Sequence, residues 1–141
     1  EGYDRIAREF PDADIATAAR LGQGRLLLQA GRWGESRRLL EAVLAGGDQI
    51  ASAEAAYHLG EGLRSRGDHE AAVEAYMSAA YLAPTSPWGR RALHGAGRSF
   101  AVLKQTEAAG IVYRKLLAQP DVEPELAEEA KKALRRLGQN P

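Results

Sequence analysis

The sequence predicts an all-α fold, an α-solenoid of antiparallel helix pairs. Two observations lead to this prediction. The sequence repeats itself with a spacing of 36 and then 37 residues, and a fixed period in this range is typical of stacked helical or mixed repeat units. Within the repeats, apolar residues recur every three or four positions, which is the helical period, and no alternating strand pattern competes with it.

Four columns of residues share the repeat spacing. They are Gly24, Gly60 and Gly97; Ser36, Ala72 and Ala109; Leu40, Tyr76 and Tyr113; and Val43, Ala79 and Leu116. The small columns predict points where two helices cross closely, and the large columns predict the side chains that fill the space around each crossing. The same offset counted back from Leu40 reaches Tyr3, so we expect the repeat to begin before residue 1.

The repeat predicts eight helices in one domain that covers residues 1–141. The helices are expected near residues 2–10, 14–30, 33–45, 50–66, 69–83, 87–103, 105–118 and 123–137. Residues 1–13 would be the second helix of a truncated repeat, and three full repeats would occupy residues 14–49, 50–86 and 87–122. Residues 123–141 would close the array, because Pro124 suits a first helical turn and the following apolar stripe faces a charged side.

The turn between the two helices of each repeat is aligned at Gly31, Gly67 and Lys104. Helices often end in a left-handed residue, and glycine adopts that conformation without steric cost. Because Lys104 lacks this freedom, the sequence predicts that the third turn is the weakest of the three.

Composition and charge exclude several classes of function. Lys and Arg together number 19, as do Asp and Glu, so the formal net charge is zero and the electrostatic signature of a nucleic-acid binder is missing. The chain has no cysteine, which excludes disulfides, thiolate nucleophiles and cysteine-bound zinc. Apolar runs such as residues 26–28 are far shorter than the roughly 20 residues that span a bilayer, so no direct membrane insertion is predicted.

The middle repeat carries the clearest motif. It reads Ala56-x-x-Leu59-Gly60-x-x-Leu63, followed by Ala72-x-x-x-Tyr76, Ala79 and Pro84. This pattern resembles the tetratricopeptide repeat (TPR) signature, and the resemblance covers nearly the whole chain. It implies a TPR-like right-handed superhelix whose concave groove binds a peptide or protein. The first repeat departs from the signature at Arg20 and Gln23, where large apolar residues are usual, and the third departs from it at Ala96.

A narrower resemblance concerns the compartment. Residues 3–14 and 56–61 are similar to bacterial envelope-associated TPR proteins of the Tol–Pal-associated and outer-membrane assembly lipoprotein types. That similarity implies the bacterial periplasm or cell envelope, but repeats of this length also occur in cytoplasmic scaffolds. The first residues show neither an initiator Met nor a signal-peptide pattern. We therefore expect the chain to be part of a longer protein, and the compartment stays open.

In TPR proteins the first helix of each pair lines the groove, so the resemblance implies a set of ligand-contact positions. They are Arg25, Tyr57, Glu61, Arg64, Arg91, His94 and Arg98. Guanidinium groups bind carboxylates in a bidentate way, which favours an acidic or C-terminal peptide as the ligand. Alternatively, Glu61 only neutralises one of the neighbouring arginines. The carboxylate clamp known in the family uses Lys and Asn in these columns, and this sequence has neither there.

No catalytic, metal or cofactor motif is found in the sequence. His58, His69 and His94 lie on different repeats without a metal-binding spacing. The Gly-x-Gly pairs at residues 22–24 and 95–97 lie inside predicted helices, where no strand precedes them as a phosphate-binding loop would require. We therefore predict that the protein is not an enzyme, has no catalytic residues, and binds no metal or cofactor.

The sequence thus predicts a protein–protein interaction or scaffolding module. Two other classes stay open. The chain could be a regulatory TPR segment of a larger enzyme or sensor, or a helical-repeat RNA binder that reads bases through a few side chains per repeat. The identity of the partner and the oligomeric state are not predicted by the sequence.

Overall fold

The computed structural model of the protein describes residues 13–140, and this part of the chain is helical with no strand. Its helices are α1 (Ala13–Gln29), α2 (Trp33–Gly46), α3 (Gln49–Ser65), α4 (His69–Leu82), α5 (Pro87–Val102), α6 (Thr106–Leu117) and α7 (Pro124–Arg136). The all-α prediction is confirmed over this range, with helix ends within one residue of those expected. The predicted helix at residues 2–10, with Tyr3, lies outside the described residues.

The helices contact one another in a regular order. Each helix packs against the next one along the chain, and in addition α1 contacts α3, α3 contacts α5 and α5 contacts α7. Between residues 13 and 140, the second helices α2, α4 and α6 contact only their neighbours in the chain. The first helices are therefore connected to one another in series, and each second helix packs against the first helices next to it in the chain. No helix in this range is long and apolar enough to cross a membrane.

Local sequence explains where several of the helices begin. The carboxylate of Asp48 accepts a hydrogen bond from the backbone N–H of Ala51 at the start of α3. Asp68 caps α4 in the same way, and the Ser86 hydroxyl accepts from the N–H of Gly89 at the start of α5. Such side chains satisfy backbone donors that have no partner inside the helix.

The repeated glycines are points of close contact between the two helices of a pair. Gly24, Gly60 and Gly97 face the side chains of Leu40, Tyr76 and Tyr113, respectively. A Cβ atom added at Gly60 would lie 2.7 Å from the Tyr76 ring, which is closer than carbon atoms pack in protein interiors. The prediction that these glycines lie at helix crossings is therefore confirmed, and the absence of a side chain is what permits the approach.

A second contact recurs between neighbouring pairs. Trp33, at the start of α2, packs over Gly62 of α3, where an added Cβ would lie 2.2 Å from the indole ring. His69 occupies the same column one repeat later, and its Nδ1 lies 3.5 Å from the hydroxyl of Ser99 on α5. A small residue on the next first helix thus accommodates the residue that begins each of these second helices. This packing accounts for His69 without a metal or a ligand.

The apolar core consists of two clusters that share α3. The smaller one contains Leu21, Leu40, Val43, Ala55 and Leu59. The larger one extends from Ala53 and Ala56 on α3 to Leu134 on α7, and it includes Tyr76, Tyr113 and Leu116. The helix pair α1–α2 therefore packs against α3 in the smaller cluster, apart from the larger one.

All three turns between paired helices have the same backbone geometry. Gly31 and Gly67 have φ values of 78° and 81°, and Lys104 has a φ of 64°. The backbone N–H one residue further on donates to the carbonyl five residues earlier in each case, as from Gln105 to Phe100. Lys104 therefore adopts the left-handed conformation although it is not glycine. That the third turn is the weakest of the three stays a prediction.

We predict that Gly60→Ala lowers the free energy of unfolding by about 1–3 kcal/mol, because the new methyl group meets the Tyr76 ring. The matched control is Gly34→Ala in α2, where an added Cβ meets nothing within 4 Å. That change should leave stability unchanged or raise it by up to about 1 kcal/mol through helix propensity. Thermal and denaturant unfolding measure both variants, and equal stability of the two would contradict the crossing.

We also predict that Lys104→Gly raises the free energy of unfolding by about 1 kcal/mol, because glycine has no steric penalty at positive φ. The reciprocal change, Gly67→Ala, should lower it by a similar amount at the equivalent turn. Denaturant titration compares the two variants with the unaltered protein. A Lys104→Gly variant that is less stable than the unaltered protein would contradict the strain assigned to this turn.

Candidate functional site

The first-helix surface is defined here by the predicted residues Tyr57, Glu61, Arg64, Arg91, His94 and Arg98. Four of them, Glu61, Arg64, Arg91 and Arg98, carry charges that act on the Tyr57 hydroxyl. Burial raises the pKa of the Tyr57 hydroxyl most, and the carboxylate of Glu61 raises it further, while the guanidinium groups of Arg91, Arg64 and Arg98 lower it. Since these charges come from both α3 and α5, the structure brings the side chains of two neighbouring repeats together.

Aromatic rings form the base of this surface. The Tyr57 ring lies 5.8 Å from the ring of Trp88 and 5.4 Å from that of His58, measured between centroids. Trp88 follows Pro87 at the start of α5, so it joins α5 to α3. The guanidinium group of the exposed Arg91 lies over Trp88, 5.0 Å from the ring centre, which is within the range of a cation–π interaction. Sequence reasoning did not identify Trp88 as a support for Arg91.

Glu61 and Arg64 are held by the buried Tyr76. The Tyr76 hydroxyl donates a short hydrogen bond to Glu61 Oε2 and accepts one from Arg64 Nε at 3.2 Å. Arg64 Nη2 also lies 3.4 Å from Glu61 Oε1. Burial first, and Glu61 next, raise the pKa of Tyr76, so its hydroxyl stays protonated and continues to donate. The carboxylate of Glu61 and the guanidinium group of Arg64 thus neutralise each other. This arrangement fits the alternative interpretation, in which Glu61 pairs with a neighbouring arginine.

His94 faces the last helix. Its Nε2 lies 3.2 Å from Glu129 Oε2 on α7, and its ring centre lies 6.0 Å from that of Tyr113. Burial lowers the pKa of His94 most, and the carboxylate of Glu129 opposes this effect. The imidazole is therefore mainly neutral near pH 7, and it packs at the junction of α5 and α7. No sequence spacing indicated the partnership with Glu129.

Three of the predicted arginines, Arg25, Arg91 and Arg98, have exposed side chains, and of these Arg25 lies outside the cluster. The side chains of Arg98 and Arg25 make no hydrogen bond or ion pair with another residue between 13 and 140. Arg98 acts electrostatically on Tyr57, His94 and Tyr113. Arg25 lies on α1 and contributes to none of these shifts, so the contacts do not connect it with the other six predicted residues.

The buried Arg90 connects α5 to the residue that precedes the last helix. Arg90 is 8% exposed, and its Nε donates to Glu123 Oε1 at 2.8 Å while its Nη1 donates to the carbonyl of Thr85. The loop before α7 is thereby fixed to α5. Arg91 then shares a cavity of about 210 Å³ with Glu123, Glu125, Leu126 and Glu129, so acidic side chains form one edge of the first-helix surface.

The first-helix surface presents arginine side chains and aromatic rings. In residues 13–140, no group of three or more His, Asp or Glu side chains is placed to hold a metal ion. The chemistry available on this surface is ion pairing, hydrogen bonding and stacking. Comparison of the chain with protein-family models and with curated proteins finds no match.

We predict that Glu123→Gln destabilises the protein near neutral pH by at most about 1 kcal/mol, since solvent screens this partly exposed pair. The hydrogen bond from Arg90 lowers the pKa of Glu123 below its ordinary value of 4.5. The stabilisation is therefore present above about pH 4.5 and is lost as the pH falls through the lower pKa of the folded state.

Unfolding curves of the Glu123→Gln variant between pH 3 and 8 test this prediction. Glu128→Gln is the control, because Glu128 is exposed on the same helix and forms no ion pair within the described part of the chain. A Glu123→Gln effect that persists unchanged at the lowest pH would contradict the electrostatic explanation.

Proposed function

We propose that this protein is a non-catalytic interaction module, a TPR-like α-solenoid that binds a peptide or protein partner on its first-helix surface. The layered contacts of α1, α3, α5 and α7 support the solenoid, because such contacts recur when helix pairs stack in one direction. The repeated glycine crossings support the same proposal, since in each pair a glycine of the first helix faces a large side chain of the second. The resemblance of the middle repeat to the TPR signature supports the family.

The partner proposed is an acidic segment or a free C-terminus. The observation that carries this proposal is that α5 presents two exposed guanidinium groups, Arg91 and Arg98, beside an aromatic pair. The guanidinium of Arg91 lies 5.0 Å from the centre of the Trp88 ring, which lies 5.8 Å from that of Tyr57. Arg98 has no carboxylate partner in the described chain, and Arg91 is already oriented by Trp88. Oriented guanidinium groups bind carboxylate oxygens with two parallel hydrogen bonds.

Arg64 is assigned a supporting role in this proposal. Its guanidinium group is engaged by Glu61 and Tyr76, so a ligand would have to compete with an existing pair. Exposed ion pairs contribute only about 0–1 kcal/mol each. Most of the affinity is therefore expected from contact with Tyr57 and from the arginine that becomes most desolvated in the complex.

Probe peptides for this surface are selected on the immobilised protein. The library contains random peptides with free C-termini. We predict that Arg98→Glu weakens binding of the selected peptides more than Arg98→Ala, because it replaces attraction by repulsion. Raising the salt concentration should weaken binding to the unaltered protein through screening. Titration by fluorescence anisotropy at two ionic strengths measures both effects.

Arg38→Glu is the matched control, because Arg38 is exposed on the second helix α2 and the charge change is identical. It should leave the affinity unchanged. Full affinity in Arg98→Glu and in Arg91→Glu, with no dependence on salt, would remove the first-helix surface as the binding site. Amidated copies of the same peptides separate recognition of a C-terminus from recognition of acidic side chains.

A further inference from the structure

A second surface of the molecule has a composition that the packing of the repeats does not require. A groove of about 220 Å³ is lined by Met77, Ala80, Tyr81, Pro84, Leu93, Lys115 and Gln119, and these residues define the α4–α6 groove. It lies between two second helices that do not contact each other, and α5 contributes its floor through Leu93. The groove is smaller than the roughly 300–1,000 Å³ usual for small-molecule sites, so it suits one anchoring side chain.

The floor of the α4–α6 groove is buried, whereas its rim is open. Leu93 and Ala80 are 3% and 8% exposed, but Tyr81 is 86% exposed. A large aromatic ring is thus presented to solvent beside apolar atoms that already belong to the core. The side-chain amide of Gln119 donates to the carbonyl of Pro84 at 2.8 Å. This bond ties one wall to the other, so the groove is already formed without a ligand.

The preceding repeat provides an internal comparison. The repeat spacing of 36 residues gives the equivalent positions in the preceding repeat. They are Glu41 for Met77, Ala45 for Tyr81 and Asp48 for Pro84. Those polar or small residues allow the same helix pairing, and Glu41 is exposed and paired with Arg37 on its own helix. Met77 also packs against the larger core, but Tyr81 is 86% exposed. Tyr81 is therefore not needed to build a helix pair, and its presence at this groove has another explanation.

Charge defines the polar half of the α4–α6 groove. Lys115 is exposed on its rim and forms no ion pair with any residue between 13 and 140. The equivalent residues in the two preceding repeats are Ser78 and Ala42, so this cation is also specific to one groove. An aromatic ring, an apolar floor and a free ammonium group suit a bulky apolar side chain followed closely by a carboxylate.

We propose that the α4–α6 groove docks a short segment of a partner protein, which inserts one bulky apolar side chain over Leu93 and pairs an acidic side chain with Lys115. This site lies on the second helices and does not use the first-helix surface. The protein then has two docking surfaces, and it can join one partner to another or hold one partner at two points.

The probe is a set of peptides selected from a random library on the immobilised protein, synthesised with acetylated N-termini and amidated C-termini. Peptides that pair a large apolar residue with Asp or Glu should be enriched. Tyr81→Ser should weaken their binding about tenfold, and Lys115→Glu should do so to a similar extent. Arg98→Glu should leave their binding unchanged, which separates this site from the first-helix surface.

Ile111→Ser is the matched control, because Ile111 is 57% exposed on α6 and lies outside the α4–α6 groove. Its peptide affinity and its melting temperature should equal those of the unaltered protein. Failure to enrich any such peptide, or equal affinity in Tyr81→Ser and Lys115→Glu, would overturn the proposal. A dimer of the unaltered protein in sedimentation that Tyr81→Ser abolishes would also overturn it, by identifying a second copy as the occupant.

Discussion

The close approach of the Tyr76 ring to two glycines determines the geometry of the middle of the molecule. Gly60 lies on one side of this ring, and Gly95 of the next first helix lies on another, where an added Cβ would be 2.5 Å from the ring. The hydroxyl of the same ring then holds Glu61 and Arg64. One side chain thereby fixes the distance within a pair, the distance between pairs and the orientation of two charged groups.

The distribution of free charge on the first-helix surface follows from that constraint. Since Tyr76 draws Glu61 and Arg64 into one network, the cations that stay available belong to α5, as Arg91 and Arg98. At the far edge, Glu129 engages His94. Among the residues that define the first-helix surface, the arginines without a carboxylate partner in the described chain are therefore those of α5.

Much of the fold could be predicted because its determinants repeat. A glycine at a helix crossing and a large residue opposite it are local steric requirements, so they recur at fixed offsets and the sequence displays them. The contacts of Arg90 with Glu123 and of His94 with Glu129 do not recur. They join long side chains 33 and 35 positions apart, and no periodicity marks them. At Lys104 the hydrogen bonds of the turn outweigh the preference of lysine for negative φ. The residue type alone does not reveal this outcome.

The division of the core between two clusters governs how the chain can open. At the boundary between α2 and α3, Leu40 stands in the column of Tyr76 and His58 stands in that of Gly95. The ring contact there is that of Trp33 with Gly62, so the ring packs on one glycine and not on two as Tyr76 does. Nearest-neighbour coupling is consequently weaker at that boundary than between α4 and α5. Subglobal unfolding, with faster amide hydrogen exchange, should begin in α1 and α2 while the larger core stays intact. A ligand held by α5 would leave that end of the molecule in local equilibrium between docked and undocked states.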